Sequence, residues 1–285
     1  MIVAKPFLKW AGGKTQLLSQ LQENYPNLSE IKSYYEPFLG GGAVFFDLVN
    51  CDTGIEKFYL SDINPDLMST YKIVQQDVGY LIEKLGTMQG EYLRLSSEER
   101  KIYFYDLRDK FNHLRGLVER ASPLIFLNKT CFNGLYRVNK KGDFNVPFGH
   151  YKKPKILDAE NLERVSNALK GVSLEVAGFE HLLNCDIDES TFIYFDPPYR
   201  PVGKASFTAY SGNFDDDDQI KLSQVFRDLS RRGATKLMLS NSDTDDGFYE
   251  RYYAGFNIHK VTAKRMINCV GKGRGMVNEV LIKNY

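Results

Sequence analysis

Phe192-Ile193-Tyr194-Phe195-Asp196-Pro197-Pro198-Tyr199 decides the fold of this 285-residue chain. Four apolar residues that stop at an acid and two prolines predict a strand buried on both faces of a parallel sheet, followed by a stiff turn. In such sheets ligands sit beyond the carboxyl ends of the strands, so residues 196–199 should floor a site. The prolines fix φ and remove two N–H donors, leaving one carboxylate and carbonyl acceptors with few donors to compete. A floor of that composition suits a ligand NH2 group.

The exocyclic amine of a nucleobase is a poor nucleophile because its lone pair is delocalised into the ring. Two acceptors would change that. If the Asp196 carboxylate takes one N–H and the Pro197 carbonyl the other, the nitrogen is drawn toward tetrahedral geometry and the lone pair is released. Tyr199 would stack on the base, since an aromatic face binds any base without reading an edge.

Working outward, the whole chain is 43% hydrophobic, enough for a sizeable core and one or two domains. No apolar run spans a bilayer and the first residues lack a signal-peptide pattern, which predicts a cytoplasmic protein with no membrane partner. Cysteines at 51, 131, 185 and 269 form no Cys-x-x-Cys, and His113, His150, His181 and His259 have no ligand spacing, so neither a metal nor a disulfide framework is expected. The net charge of +1 hides an asymmetry. Between Lys129 and Lys155, seven basic residues (Lys129, Arg137, Lys140, Lys141, Lys152, Lys153, Lys155) face one acid, Asp143. A local basic stripe in a near-neutral chain predicts a polyanion site.

Gly12-Gly13-Lys14-Thr15 invites a phosphate-loop reading, but Leu8 stands where that loop needs glycine. A helix entry leading into Leu17, Leu18 and Leu21 is the alternative. Tyr34 to Leu39, the glycine turn Gly40-Gly41-Gly42 and the run from Ala43 to Leu48 read as strand, turn and helix, the first unit of a nucleotide-binding sheet. Phe45 breaks the dinucleotide fingerprint. Asp62 closes the next strand, Lys57 to Ser61, about twenty residues past the glycine turn, where an acid binds ribose hydroxyls. Glu36, Asp62 and Asp196 would then make a pocket that repels phosphates and favours a cation, which fits S-adenosylmethionine better than ATP or NAD.

From about 73 to 160 the strand and helix alternation lapses. Ser96-x-x-Glu99 predicts a capping box opening a helix toward His113, and a second helix should precede Asn128. Asn139-Lys140-Lys141-Gly142 reads as the turn of a hairpin between two short strands. Phe132, Tyr136, Phe144, Phe148 and Tyr151 interleave with the basic residues, the composition of a nucleic-acid surface. The alternation then resumes with a strand at 174–177, Phe179 at its carboxyl end, a helix from Gln219 whose leading acids Asp215 to Asp218 serve its dipole, a strand at 236–242, and two last strands flanking the loop from Arg265 to Met276.

FLKWAGGK at 7–14, EPFLGGG at 36–42, LSDIN at 60–64, LNKTCFNGLYRVNKKGDFNVPFG at 127–149 and DPPY at 196–199 occur in one order along nearly the whole length. In these segments the chain resembles the Dam-type DNA adenine-N6 methyltransferases of the alpha group. The resemblance implies an α/β, Rossmann-like methyltransferase sheet (residues 1–72 and 161–285) and an inserted, mainly helical target-recognition domain carrying a β-hairpin (residues 73–160). It implies that Trp10, Lys14, Asp62 and Asp196 contact the cofactor region, with the turn at Gly40 and Gly42 against the cofactor and Phe179 beside its adenine. Asn133, Leu135, Arg137 and Asn139 would enter the DNA, with Lys152 on a phosphate beside Tyr151. His150 departs from the pattern, in which arginine is expected, and so alters one backbone or flanking contact.

The expected reaction takes an adenine out of double-stranded DNA, in GATC, and aims its N6 at the sulfonium methyl with Asp196, Pro197 and Tyr199. The thioether leaves as a neutral group, so no strong base is needed before attack. The protein is expected to act as a monomer or weak dimer on DNA. An RNA or protein-glutamine methyltransferase would keep the cofactor motifs, although asparagine in place of Asp196 would have suited glutamine. A catalytically inactive DNA-binding regulator would have no reason to keep Asp-Pro-Pro-Tyr.

Overall fold

The computed structural model describes residues 3–51, 53–200, 214–233, 235–264 and 276–285. Two compact units share the chain: residues 1–13, 40–50 and 64–170 form one, and residues 14–39, 51–63 and 171–285 the other. In chain order the helices are α1 (Leu18–Gln22), α2 (Ala43–Asn50), α3 (Pro65–Gln76), α4 (Val78–Arg94), α5 (Ser97–His113), α6 (Leu117–Thr130), α7 (Ala159–Ala168), α8 (Asp216–Ser230) and α9 (Phe248–Tyr252).

The second unit is built on a seven-stranded sheet of β1 (Ser33–Glu36), β2 (Lys57–Asp62), β3 (Ser173–Val176), β4 (Thr191–Phe195), β5 (Lys236–Ser242), β6 (Asn257–Lys264) and β7 (Met276–Lys283). Their order across it is β3-β2-β1-β4-β5-β7-β6. The first five run parallel. The order reverses between β1 and β4, the switch point where open α/β sheets bind ligands. Every residue of β4 is buried, as its unbroken apolar run requires. Its side chains alternate between faces. Ile193 and Phe195 join Phe226, Leu229, Leu237 and Leu239 in one cluster, while Phe192 packs at 5.5 Å on Tyr34 and at 5.9 Å, edge to face, on Tyr25. Burying each such side chain contributes about 1.5–3 kcal/mol.

The sheet is not parallel throughout, as the sequence had suggested. β7 lies antiparallel between β5 and β6. β6 ends at Lys264 and β7 begins at Met276, a gap shorter than the dozen or so residues that a parallel crossover needs, so the chain returns antiparallel. The loop expected from Arg265 to Met276 falls on residues 265–275, which lie outside the described residues.

The first unit is mainly helical. Ser96 caps α5 in the expected box with Glu99, each side chain bonded to the other residue's backbone N–H. Asp215 and Asp218 form the equivalent box on α8, so that acidic run is a helix start. α4 was not foreseen, because Gly79, Gly86 and Gly90 depress its helix propensity. Burial of Leu81, Leu85 and Tyr92 stabilises it instead.

The reversal at 139–142 is present, but the two strands expected around it are not. Asn139 and Asn145 donate backbone N–H bonds to Asp143 (2.9 Å) and Arg137 (3.0 Å), and Val138 with Phe144 forms a single isolated bridge. Side chains take over where a ladder would run. Asn112 accepts from Phe144 N at 2.8 Å and donates to its carbonyl at 3.2 Å, and Arg137 Nε donates to Asn145 Oδ1 at 2.7 Å.

Asn128 uses the same device on the segment that opens the chain. Its amide accepts from Lys9 N at 2.8 Å and donates to Lys9 O at 2.7 Å and Gly134 O at 3.0 Å. Gly134, at φ +64°, has no alternative there: a Cβ would lie 2.4 Å from Lys9 Cδ. Asn128→Ala should lower the unfolding free energy by about 1–3 kcal/mol, because it strands partly buried backbone groups. Urea titration checks this through the midpoint at constant slope, and a loss below about 0.5 kcal/mol, the size of an ordinary surface change, would show the amide to be dispensable.

Candidate active site

In the sheet unit the carboxyl ends of β2, β1 and β4 carry Asp62, Glu36 and Asp196. Register sets them along one edge, since Glu36 is level with Leu60 and Tyr35 with Ile193. Glu36 is buried and accepts from Tyr34 Oη at 2.9 Å. Asp62 O receives Ala177 N at 3.2 Å, which ties the ends of β2 and β3. Phe179 is buried and stacks on Phe38 with centroids 5.6 Å apart.

Asp196 is the centre of this edge. Lys14 Nζ reaches its Oδ1 at 2.5 Å, and Ser240 Oγ donates to the same oxygen at 3.2 Å. Ser240 is itself bonded to Tyr194 Oη at 2.8 Å. Among the described residues no donor bonds Asp196 Oδ2 or the Pro197 carbonyl. These are the two acceptors named from sequence. Burial pushes the Asp196 carboxyl above its ordinary range, and the Lys14 charge and the Lys14 and Ser240 hydrogen bonds oppose that rise.

Lys14 corrects one reading. A helix entry would leave it in solvent, yet its side chain is only 3% exposed, because the turn of helix at 14–16 aims it at the sheet edge. Its ammonium also lies 4.5 Å from the centroid of the Tyr199 ring. Tyr199 Oη donates to Glu279 of β7. Burial, then the carboxylates of Asp196 and Glu279, hold that phenol well above its usual pKa, so it stays a donor.

The motif is fixed from behind by residues whose roles sequence did not suggest. Gln219 Nε2 donates to Pro198 O at 2.9 Å, Arg200 N donates to Asn241 Oδ1 at 3.1 Å, and Asn241 Nδ2 donates to Gln219 Oε1 at 3.2 Å. The Arg200 guanidinium forms a fork with Asp216 at 2.7 and 2.8 Å, pairs with Asp246 and lies 4.1 Å over Phe248. Polar residues at the ends of β5 and α8 offered no signal until their neighbours were known.

The other unit holds the remaining predicted residues. Trp10 stacks on Tyr136, centroids 5.3 Å apart and planes at 23°. Gly40 and Gly42 take φ of +48° and +69°, and a Cβ on Gly40 would lie 2.8 Å from Trp10 Cδ1. Asn133 has φ +56°, Leu135 follows it half-buried, and Asn139 spends its side chain on the reversal, accepting from Lys141 N at 2.8 Å and Asp143 N at 3.0 Å. Arg137 is engaged with Asn145, also through Nη2 to its carbonyl at 3.3 Å. Tyr151 lies under Lys9 Nζ at 4.5 Å, and Lys152, exposed at its side chain, accepts at its carbonyl from Arg100 at 2.9 Å. Burial and the nearby Lys9 charge pull Lys129 down to about 8, so above that pH the basic stripe carries less charge than its composition indicates.

Among the described residues no group of three His, Cys, Asp or Glu could hold a metal, and no helix is long and apolar enough to cross a membrane.

Comparison with known proteins bears directly on these features. Type II methyltransferase M.MjaIII of Methanocaldococcus jannaschii is 54% identical over 290 residues, 99% of each chain. Type II methyltransferase M1.LlaDCHI of Lactococcus lactis subsp. cremoris is 37% identical, covering 99% of this chain and 95% of the relative. A DNA adenine methylase of Vibrio cholerae is 34% identical, with 97% and 95% covered. The family model for D12 class N6 adenine-specific DNA methyltransferases matches residues 10–267, which takes in every motif from Trp10 to Tyr199, and the chain belongs to that family.

Proposed function

We propose that this DNA adenine-N6 methyltransferase uses S-adenosylmethionine and methylates a flipped adenine within GATC. The observation that carries the reading is the Asp196 carboxylate, held on one oxygen by Lys14 and Ser240 and left with the other oxygen and the Pro197 carbonyl for a substrate amine.

The negative edge of Glu36, Asp62 and Asp196 fits a phosphate-free cation. Asp62 would hold the ribose, and Phe179, Trp10, Gly40 and Gly42 would line the remainder. S-adenosylmethionine, when bound, supplies an electrophilic methyl group on a sulfonium. Asp196 and Pro197 accept the two N6 hydrogens and fix the direction of the lone pair. Lys14 opposes the rise in the Asp196 pKa and lies over the Tyr199 ring, on which the adenine would stack. Stacking and amine contact both require the base to leave the duplex. Positioning and preorganised charge carry the rate.

Residues 73–160 would read the target and residues 1–72 and 161–285 perform the chemistry, a division that follows the motifs and cuts differently from the compact units. GATC rests on Asn133, Leu135, Arg137 and Asn139 in the Dam-like reversal, with Arg137 bidentate on the guanine paired with the site's last cytosine. Tyr151 and Lys152 would lie along the flanking backbone. The Type II names of two relatives support a restriction-modification setting. The cytoplasm is the expected compartment, and a monomer or weak dimer on DNA the expected assembly.

Asp196→Ala should reduce turnover at least about a hundredfold with the fold retained, and turnover above a tenth of wild type would reject its role. The carboxylate must be ionised to accept, so kcat/KM should fall as pH drops through its raised pKa. Lys14→Met removes the charge opposing that rise and should move the acid limb to higher pH. An unmoved limb assigns the limb to another group. Methylation mapping on random duplex DNA tests the specificity: the mapped motif should be GATC, and Arg137→Ala should cost about 1–3 kcal/mol at its base pair alone. Any other motif rejects GATC, and unchanged discrimination in Arg137→Ala rejects that residue.

A further inference from the structure

Tyr136 is absent from the catalytic and base-reading sets, yet it stacks on Trp10 and adjoins the proposed base reader Arg137. In sequence it directly precedes Arg137. Its ring stacks on Trp10, which packs against Gly40 of the glycine turn so closely that only hydrogen fits between them. Its hydroxyl donates to Asp66 Oδ2 at 3.0 Å and is also hydrogen-bonded to the side chain of Asn64, the N-cap of α3.

Asp66 is a fixed anchor. It is 7% exposed and gripped by the Arg120 guanidinium through Nε at 2.6 Å and Nη2 at 2.7 Å. Arg120 Nη1 donates to Phe111 O at 2.6 Å and Leu114 O at 3.0 Å, and its plane lies 3.9 Å over Phe111. The far limb of the reversal is held as firmly, by Asn112 on the Phe144 backbone, with the Phe144 ring 5.8 Å from Tyr136. Tyr136 is thus attached at its ring to the Trp10 and Gly40 segments and at its hydroxyl to the start of α3. A displacement of Arg137 is passed to it through one peptide bond.

We infer that Tyr136 is a positioning residue that couples reading of the target base pair to the readiness of the cofactor segment, so that cognate DNA and cofactor strengthen each other's binding. The inference rests on the proposed role of Arg137 as the guanine reader. A merely structural tyrosine would affect stability and leave the two affinities independent. Coupling is instead reciprocal and has a magnitude.

The test uses the full chain and Tyr136→Phe, which keeps a ring on Trp10 and removes the bonds to Asp66 and Asn64. Calorimetry gives the dissociation constant of S-adenosylhomocysteine with a duplex carrying the mapped motif and with a shuffled duplex. Wild type should show a ratio of about fivefold or more between the two duplexes. In Tyr136→Phe the two constants should agree within about twofold, with the duplex-free affinity unchanged. A wild-type ratio near one, or a full ratio in Tyr136→Phe, overturns the inference.

Trp10 is the only tryptophan, and its emission provides a second reading without cofactor or turnover. The cognate duplex should change that emission in wild type, and Tyr136→Phe should at least halve the change. An undiminished change overturns the inference. Failure of the wild-type chain to methylate its motif would reject the proposed specificity instead.

Discussion

Lys14 and Asp196 meet at the end of a strand that is buried on both faces, and neither charge could remain there alone. Removing a carboxylate from water favours its protonation, and a protonated Asp196 would lose acceptor capacity toward an amine. The lysine corrects this from one side. Because both polar contacts of the carboxylate fall on Oδ1, the pairing that opposes the rise in its pKa leaves Oδ2 without a donor among the described residues. Much of the surrounding structure follows from that requirement. The turn at residues 14–16 aims the lysine, Ser240 on β5 shares the load, and the relay through Gln219, Asn241 and Arg200 keeps the proline turn from drifting.

The part of this that was legible in the sequence is the part written locally. A four-residue apolar run before an acid and two prolines specifies a buried strand and a donor-poor turn, whatever surrounds it. The glycine turn after β1 and the acid closing β2 are similarly local. So is the capping box at Ser96, where the two side chains that answer each other are three residues apart. The burial of Lys14 was not legible, since the residue that neutralises it lies 182 positions further along. For the same reason Glu279 could not be matched to Tyr199, nor Arg120 and Tyr136 to Asp66, from order alone.

The reversal around residues 139–142 shows a different limit. Alternating polar and aromatic residues around Asn-Lys-Lys-Gly imitate a hairpin, and the chain does turn back there. What replaces the ladder is a set of side-chain amides and one guanidinium that satisfy backbone groups singly. Such replacements have no period, so a pattern search reads them as strand.

The antiparallel strand β7 has a consequence for how the molecule is made. A chain emerges from the ribosome amino end first, and β5 is completed well before residues 276–283 exist to lie beside it. Until they arrive, the hydrogen-bonding edge of β5 is open to any passing strand, and Tyr199 lacks the carboxylate that holds its hydroxyl. The nascent chain therefore carries its proline motif in an unfinished state from the synthesis of Tyr199 until Glu279 follows. The same strand both covers the open edge of β5 and brings Glu279 to the Tyr199 hydroxyl.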